Sequence, residues 1–254
     1  MNELKYLGII PARYASTRFP GKPLAQLGGK PVIQRVWEQV NSVLDSVIVA
    51  TDDERIVKTV ESFGGKAVMT SNQHRSGTDR CWEAYMKNGG AEDVIINIQG
   101  DEPFIHGSQL LSVMSCFDDV DTDIATLVRP FVGEDYWLLE NPNSVKVVID
   151  KQMHARYFSR SVIPFVRGVD QELWPTKVQY YTHIGLYAYR AEVLRAITQL
   201  PQSSLELAES LEQLRWLENG YTIKTAISNL ETIGIDTPQD LARAEKELIK
   251  FSVR

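Results

Sequence analysis

Directly after a short apolar run at residues 6–10, the chain reads Pro11-Ala12-Arg13-Tyr14-Ala15-Ser16-Thr17-Arg18-Phe19-Pro20-Gly21-Lys22-Pro23. Arg13, Arg18 and Lys22 place three cations within ten residues, separated by small and turn-forming residues. A polyphosphate needs that combination: forked guanidinium donors, an ammonium point charge and exposed backbone N–H groups in one concave loop. The bland reading of such a stretch is a solvated basic loop. Against it stands the balance of the whole chain, 27 Lys and Arg against 33 Asp and Glu for a net charge of -6. Any anion bound here must meet a local concentration of positive charge, and a general nucleic-acid or anionic-membrane surface is not expected. The spacing is neither the GxxxxGK[ST] phosphate loop nor the GxGxxG dinucleotide fingerprint, which disfavours a P-loop kinase and a Rossmann dehydrogenase.

Gln99-Gly100-Asp101-Glu102-Pro103 follows the most continuous apolar run, residues 93–98. A carboxylate in that position suits magnesium, which keeps several waters and takes one or two protein carboxylates plus phosphate oxygens. Gly100 would let a ligand approach the backbone. A second carboxylate, Asp236, lies in Gly234-Ile235-Asp236-Thr237-Pro238. Both segments also fit ordinary turns before a helix. In His74-Arg75-Ser76-Gly77-Thr78-Asp79-Arg80, hydroxyls and backbone groups before a helix could read a base edge or a ribose, or Thr78 could simply cap the helix. Arg160, closing Tyr157-Phe158-Ser159-Arg160, could grip a carboxylate with both arms of its fork. His183, among Tyr181 and Tyr187, reads equally as a hydrogen-bonded structural histidine or a ligand contact. His74, His106 and His154 have no Cys or acidic partner at zinc spacing. No GxSxG or Cys–His arrangement points to a nucleophilic hydrolase.

The elements that would carry these residues alternate. The 254 residues, 43% hydrophobic and 24% charged, suffice for one large domain with a full core. Strands are expected at 6–10, 46–50, 66–69 and 93–98, with helices opening at Pro31, over 54–63 and over 78–87. That alternation predicts an α/β fold, a mostly parallel sheet with helices on its faces and ligands at the carboxyl ends of the strands. Arg13, Asp52 and Asp101 fall at three such ends. Residues 131–189 read differently, with strand-like runs at 145–149, 155–158 and 184–189, which predicts an antiparallel excursion serving as a lid or a dimer arm. Ser203 and Glu206 form a capping-box pair opening a helix with Leu207, Leu211 and Leu214 on its core face. A strand at 222–227 and a closing helix from Pro238 to about residue 250, capped by Thr237, complete the chain. One compact unit over 1–254 is the expectation. Cys81 and Cys116, in no CxxC pair, read as reduced core residues of a cytoplasmic protein. No apolar run approaches the ~20 residues of a membrane span.

Taken together, the segments resemble the 3-deoxy-manno-octulosonate cytidylyltransferases, the CMP-Kdo synthetases of Gram-negative bacteria. The likeness is collinear: IIPARYASTRFPGKPL at 9–24, VATDD at 49–53, RSGTDR at 75–80, NIQGDEP at 97–103, NPNSVKVVID at 141–150, YFSR at 157–160, HIGLYAYR at 183–190, LEQLRWL at 211–217 and GIDTPQDL at 234–241. It implies a nucleotide-diphospho-sugar transferase-like fold of three layers and a reaction in which CTP and 3-deoxy-manno-octulosonate (Kdo) give CMP-Kdo and diphosphate, for lipopolysaccharide biosynthesis. By position, Arg13, Arg18 and Lys22 would hold the triphosphate, and Ser76 with neighbouring backbone would read cytosine. Asp101 and Asp236 would bind magnesium. Gln99, Arg160, His183, Tyr187, Glu212 and Gln213 would line the Kdo pocket, with Gln99 also near the nucleotide and Glu206 and Glu209 as further carboxylates on the same helix. The likeness further implies a homodimer, with the antiparallel excursion as its arm. Rival readings are a sialic-acid-type CMP-sugar synthetase, a GT-A glycosyltransferase, which would usually show a DxD where Gly100 separates Gln99 from Asp101, and a non-catalytic nucleotide-binding protein.

Overall fold

The computed structural model describes residues 4–15, 18–133, 135–230 and 233–252. They fold as two compact units, one built from the chain up to residue 110 together with the segment from 231 onward, the other from 111–230. In the first unit lie β1 (Tyr6–Ala12), the small hairpin β2 (Gln26–Leu27) and β3 (Lys30–Pro31), α1 (Val32–Asn41), β4 (Val47–Thr51) and α2 (Glu54–Ser62). They are followed by β5 (Lys66–Met69), α3 (Gly77–Lys87) and β6 (Val94–Asn97), and α4 (Gly107–Ser115) leads into the second unit. That unit holds β7 (Ile124–Pro130), α5 (Tyr136–Glu140), β8 (Lys146–Ile149), β9 (Ala155–Ser159) and β10 (Tyr181–Arg190). Then come α6 (Ala191–Ile197), α7 (Ser204–Glu209), α8 (Glu212–Glu218) and β11 (Ile223–Ile227), before α9 (Pro238–Ser252) returns to the first unit.

In the first unit β1 pairs with β6 on one side and β4 on the other, and β5 extends the sheet beyond β4, all in parallel. Every residue of β4 and β6 is buried, as unbroken apolar strands covered on both faces should be. Because the strands are parallel, their carboxyl ends share one edge, which carries Arg13, Asp52, Thr70 and Gln99. α1 buries Val32, Ile33, Val36 and Val40, the stripe read from its periodicity, although Pro31 stands one position before the helix rather than within it. The N-cap of α3 is Ser76, whose Oγ accepts the Asp79 N–H at 3.1 Å; Thr78 is buried in the first turn instead. Thr237 caps α9, receiving the Asp240 N–H on Oγ1 at 3.2 Å, while the Asp240 carboxylate accepts the Thr237 N–H at 3.0 Å.

In the second unit β7 runs parallel to β11 and antiparallel to β10, while β8 pairs antiparallel with both β10 and β9. The antiparallel strands foreseen within 131–189 therefore exist. They form a continuous sheet with β7 and β11, strands that flank the segment in sequence, so they belong to a larger unit than the expected excursion. The one helix expected from Ser203 onward is two. The capping box of Ser203 and Glu206 is present, but Ser210 adopts a left-handed φ of 52°, which ends α7 before α8 begins. Leu211 and Leu214 are buried as expected, whereas Leu207 is 62% exposed.

Gly100 lies where the chain leaves β6, and a Cβ on it would meet the Pro11 carbonyl oxygen at 2.5 Å. The missing side chain serves the close approach of the two strand exits that carry Arg13 and Asp101. Backbone cannot yield as a flexible side chain can, so Gly100→Ala should destabilise the protein by about 1–3 kcal/mol and lower its melting temperature. An unchanged melting curve would contradict this reading of the glycine.

Candidate active site

The shared strand edge of the first unit opens into a crevice of about 430 Å³, lined by Pro11, Ala12, Arg13, Ala15, Arg18, Lys22, Pro23, Ser76, Gly77, Arg80, Gln99, Gly100, Asp101 and Asp236. The volume is that of a small-molecule site. Every residue assigned to the nucleotide or the metal by the motifs lies on its wall. Four cationic side chains face two carboxylates there, in a chain whose overall balance is acidic.

Lys22 stands at its centre. Its Nζ lies 2.5 Å from Asp101 Oδ2 and 3.2 Å from Asp236 Oδ1, with the side chain only 13% exposed. Arg18 reaches the same Asp236 oxygen at 3.1 Å from the solvent side. Two carboxylates far apart in sequence thus converge on one ammonium. Their meeting is built into the backbone, because the Ile235 N–H donates to the Asp101 carbonyl at 2.9 Å. Ile235 is itself buried with Leu27, Val32 and Ala244, packed by Phe19, Phe104 and Leu241. That cluster joins α9, the β2–β3 hairpin and the end of the cationic loop. Arg13 projects into the crevice and makes no ion pair among the described residues.

The floor is a buried ion pair absent from the candidates chosen on sequence. Arg80, 1% exposed, donates to Asp52 Oδ2 at 2.8 Å and to Thr70 Oγ1 at 2.5 Å. It ties the exits of β4 and β5 to the first turn of α3, next to Ser76 and Gly77. Its signal in the sequence was VATDD followed by RSGTDR, two motifs with no local reason to be linked. Burial, and after it the Asp101 carboxylate, push the pKa of neighbouring Glu102 up to about 7.

Among the described residues no group of three or more His, Cys, Asp or Glu side chains is placed to hold a metal. The donor set present, Asp101 and Asp236 around Lys22, still fits magnesium, which takes few protein ligands when phosphate oxygens supply the rest.

The second unit carries the remaining candidates. His183 and Tyr187 lie together, ring centroids 5.1 Å apart, with Phe158 edge-on to His183 and Trp216 of α8 edge-on to Tyr187. His183 Nε2 is 3.0 Å from Thr126 Oγ1, and burial pulls its pKa down to about 3, so the ring is neutral at physiological pH. Burial, then Glu212, raises the Tyr187 phenol well above its ordinary value. Gln213 is buried on the first turn of α8. Glu212 receives Arg215 Nη2 at 2.8 Å, and Arg215 Nε also lies 3.3 Å from Glu206. Arg160 has a separate set of contacts: its guanidinium donates to the carbonyls of Glu209, Pro142 and Ser210. Glu209 accepts from Ser159 Oγ at 2.6 Å and from the Arg160 N–H at 2.9 Å. Glu206 and Glu209 therefore both have protein partners, and the break at Ser210 puts them on a different helix from Glu212. Lys146, buried, anchors the same region through the carbonyls of Asn141 and Ser144.

The cytidylyltransferase family profile matches residues 7–227. The 3-deoxy-manno-octulosonate cytidylyltransferase of Phocaeicola vulgatus is 70% identical over 243 residues, covering 95% of this chain and 96% of the relative. That of Bacteroides thetaiotaomicron is 67% identical, covering 96% of this chain and 98% of the relative. A solved CMP:2-keto-3-deoxy-manno-octonic acid synthetase complexed with CTP superposes with a TM-score of 0.90 at 42% identity, over 97% of this chain and 99% of that one. With such identity along nearly the whole of each chain, this chain belongs to the 3-deoxy-manno-octulosonate cytidylyltransferase family.

Proposed function

We propose that the chain transfers CMP from CTP to Kdo, giving CMP-Kdo, the activated sugar of lipopolysaccharide biosynthesis, and diphosphate. The anomeric hydroxyl of Kdo attacks the α-phosphorus. A new O–P bond forms, the bond between that phosphorus and the bridging oxygen breaks, diphosphate leaves and the hydroxyl proton passes to solvent. Such a reaction leaves the protein little covalent work. Its tasks are to orient two substrates and to stabilise charge that develops on the phosphates.

The observation that carries this reading is the crevice in which Lys22 sits between Asp101 and Asp236 beside Arg18. Arg13, Arg18 and Lys22 bind the triphosphate and offset the charge gathered by the departing diphosphate. Ser76 and the neighbouring backbone face the base, with Arg80 fixing the start of α3 beneath them. Asp101 and Asp236 would hold magnesium, which would supply Lewis-acid neutralisation of phosphate charge. Toward Kdo we assign Gln99, Arg160, His183, Tyr187, Glu212 and Gln213. Neutral His183, bonded to Thr126, suits a hydrogen-bonding role rather than a charged one. Arg160 gives one N–H from each guanidinium nitrogen to a carbonyl, which fixes its plane and leaves two N–H groups for a carboxylate.

We infer a homodimer formed through the second unit, supported by the exposed Val132, Trp137, Leu138 and Phe165. A cytoplasmic location follows from the need for CTP; no helix among the described residues is long and apolar enough to cross a membrane.

Incubation with CTP, magnesium and either Kdo or sialic acid tests the substrate. Diphosphate should appear only with Kdo; release with sialic acid alone would replace this reading by its nearest rival. Asp101→Asn should lower kcat at least about a hundredfold while the melting temperature holds, and near-normal turnover would remove the metal role. Arg160→Ala should raise KM for Kdo about tenfold or more, as loss of a bond to a charged group does, and leave KM for CTP nearly unchanged. Equal effects on both substrates would make Arg160 structural only.

A further inference from the structure

Arg13 and Ala15 both line the crevice, but Tyr14 between them does not. Its ring lies instead against Arg55 of α2, whose guanidinium carbon is 3.3 Å from the ring centroid. Gly21 lies against Tyr14 too, and a Cβ there would come within 3.2 Å of the phenol. Gly21 also donates its N–H to the Tyr14 carbonyl at 2.9 Å and takes a φ of 72°, so the two ends of the cationic segment meet at Tyr14.

Arg55 is held in place before it meets the ring. Its Nε and Nη2 donate to the two oxygens of Asp53 at 2.8 and 2.6 Å. Asp53 is the N-cap of α2 and accepts the Arg55 N–H at 2.9 Å. A guanidinium fixed in its plane by a carboxylate loses little freedom when it stacks. Asp53 in turn directly follows Asp52, the partner of buried Arg80. The stack therefore links the cationic loop to the start of α2, whose N-cap directly follows Asp52.

We propose that the Tyr14–Arg55 stack is a positioning device for the nucleotide. Neither side chain touches CTP. Together they hold the loop in the form that presents Arg13, Arg18 and Lys22, so that this arrangement need not be assembled when CTP arrives. The inference rests on the assignment of CTP to this crevice.

Calorimetric titration of the full chain with CTP and magnesium, without Kdo, tests it. Tyr14→Leu and Arg55→Ala should each weaken CTP binding about two- to fivefold, the range of an exposed cation–π contact. Tyr14→Phe, which keeps the ring, should bind like the parent. The double variant should bind no more weakly than Tyr14→Leu alone, because the two residues act as one unit. At saturating CTP and Kdo, kcat should change less than the affinity does. Additive losses in the double variant, or unchanged affinity in Arg55→Ala, would overturn the proposal. Failure of the parent protein to bind CTP would remove the crevice assignment itself, whereas a binding parent with unaffected variants would remove the stack alone. Arg55 is exposed, so its variant reads out binding even where a Tyr14 variant is poorly folded.

Discussion

Two carboxylates brought to one point repel each other, and the first unit is organised around the cation that makes their meeting tolerable. Lys22 sits between Asp101 and Asp236, largely withdrawn from solvent, where its attraction to both is screened less than on an open surface. The backbone bond from Ile235 to Asp101 ties together the two segments that carry these carboxylates. Preorganisation of this kind is what a charge-stabilising enzyme requires, because groups already in position do not have to reorganise during the reaction.

The scaffold around that point is made of chain exits. Parallel strands deliver Arg13, Asp52, Thr70 and Gln99 to one edge, and the loops are then tied to one another there. Arg80 connects the exits of β4 and β5 to α3. Gly100 lets the exit of β6 lie against Pro11, and the cluster of Leu27, Val32, Ile235 and Ala244 sets α9 beside the cationic loop. A buried ion pair is weak evidence of stability. At Arg80 its clearer role is geometric: a rigid planar donor ties α3 to the exits of the paired strands β4 and β5.

The second unit works by different physics. Its candidate residues lie among aromatic rings, and the polar ones are neutral or internally partnered: His183 with Thr126, Glu212 with Arg215, Glu209 with Ser159 and Arg160. Such an environment favours recognition by shape and directed hydrogen bonds, in contrast to the open charge of the first unit's crevice.

Local features were legible in the residues alone. The unbroken apolar run at 93–98 marked β6 as a central strand, the Ser203–Glu206 pair marked a helix start, and cations spaced by small residues marked the loop that lines the crevice. Each depends on neighbours a few positions apart. What escaped depends on distance or on a single backbone angle. Ser210 turns left-handed and splits one expected helix in two, β7 completes a sheet around strands that looked like an excursion, and Gly100 makes room for the Pro11 carbonyl. Sequence chemistry could nominate Asp101, Asp236 and Lys22 one by one, since the type of a side chain is a local fact. Only the folded chain could bring them onto the same few ångströms, because that depends on a hydrogen bond and a hydrophobic cluster joining residues more than a hundred positions apart.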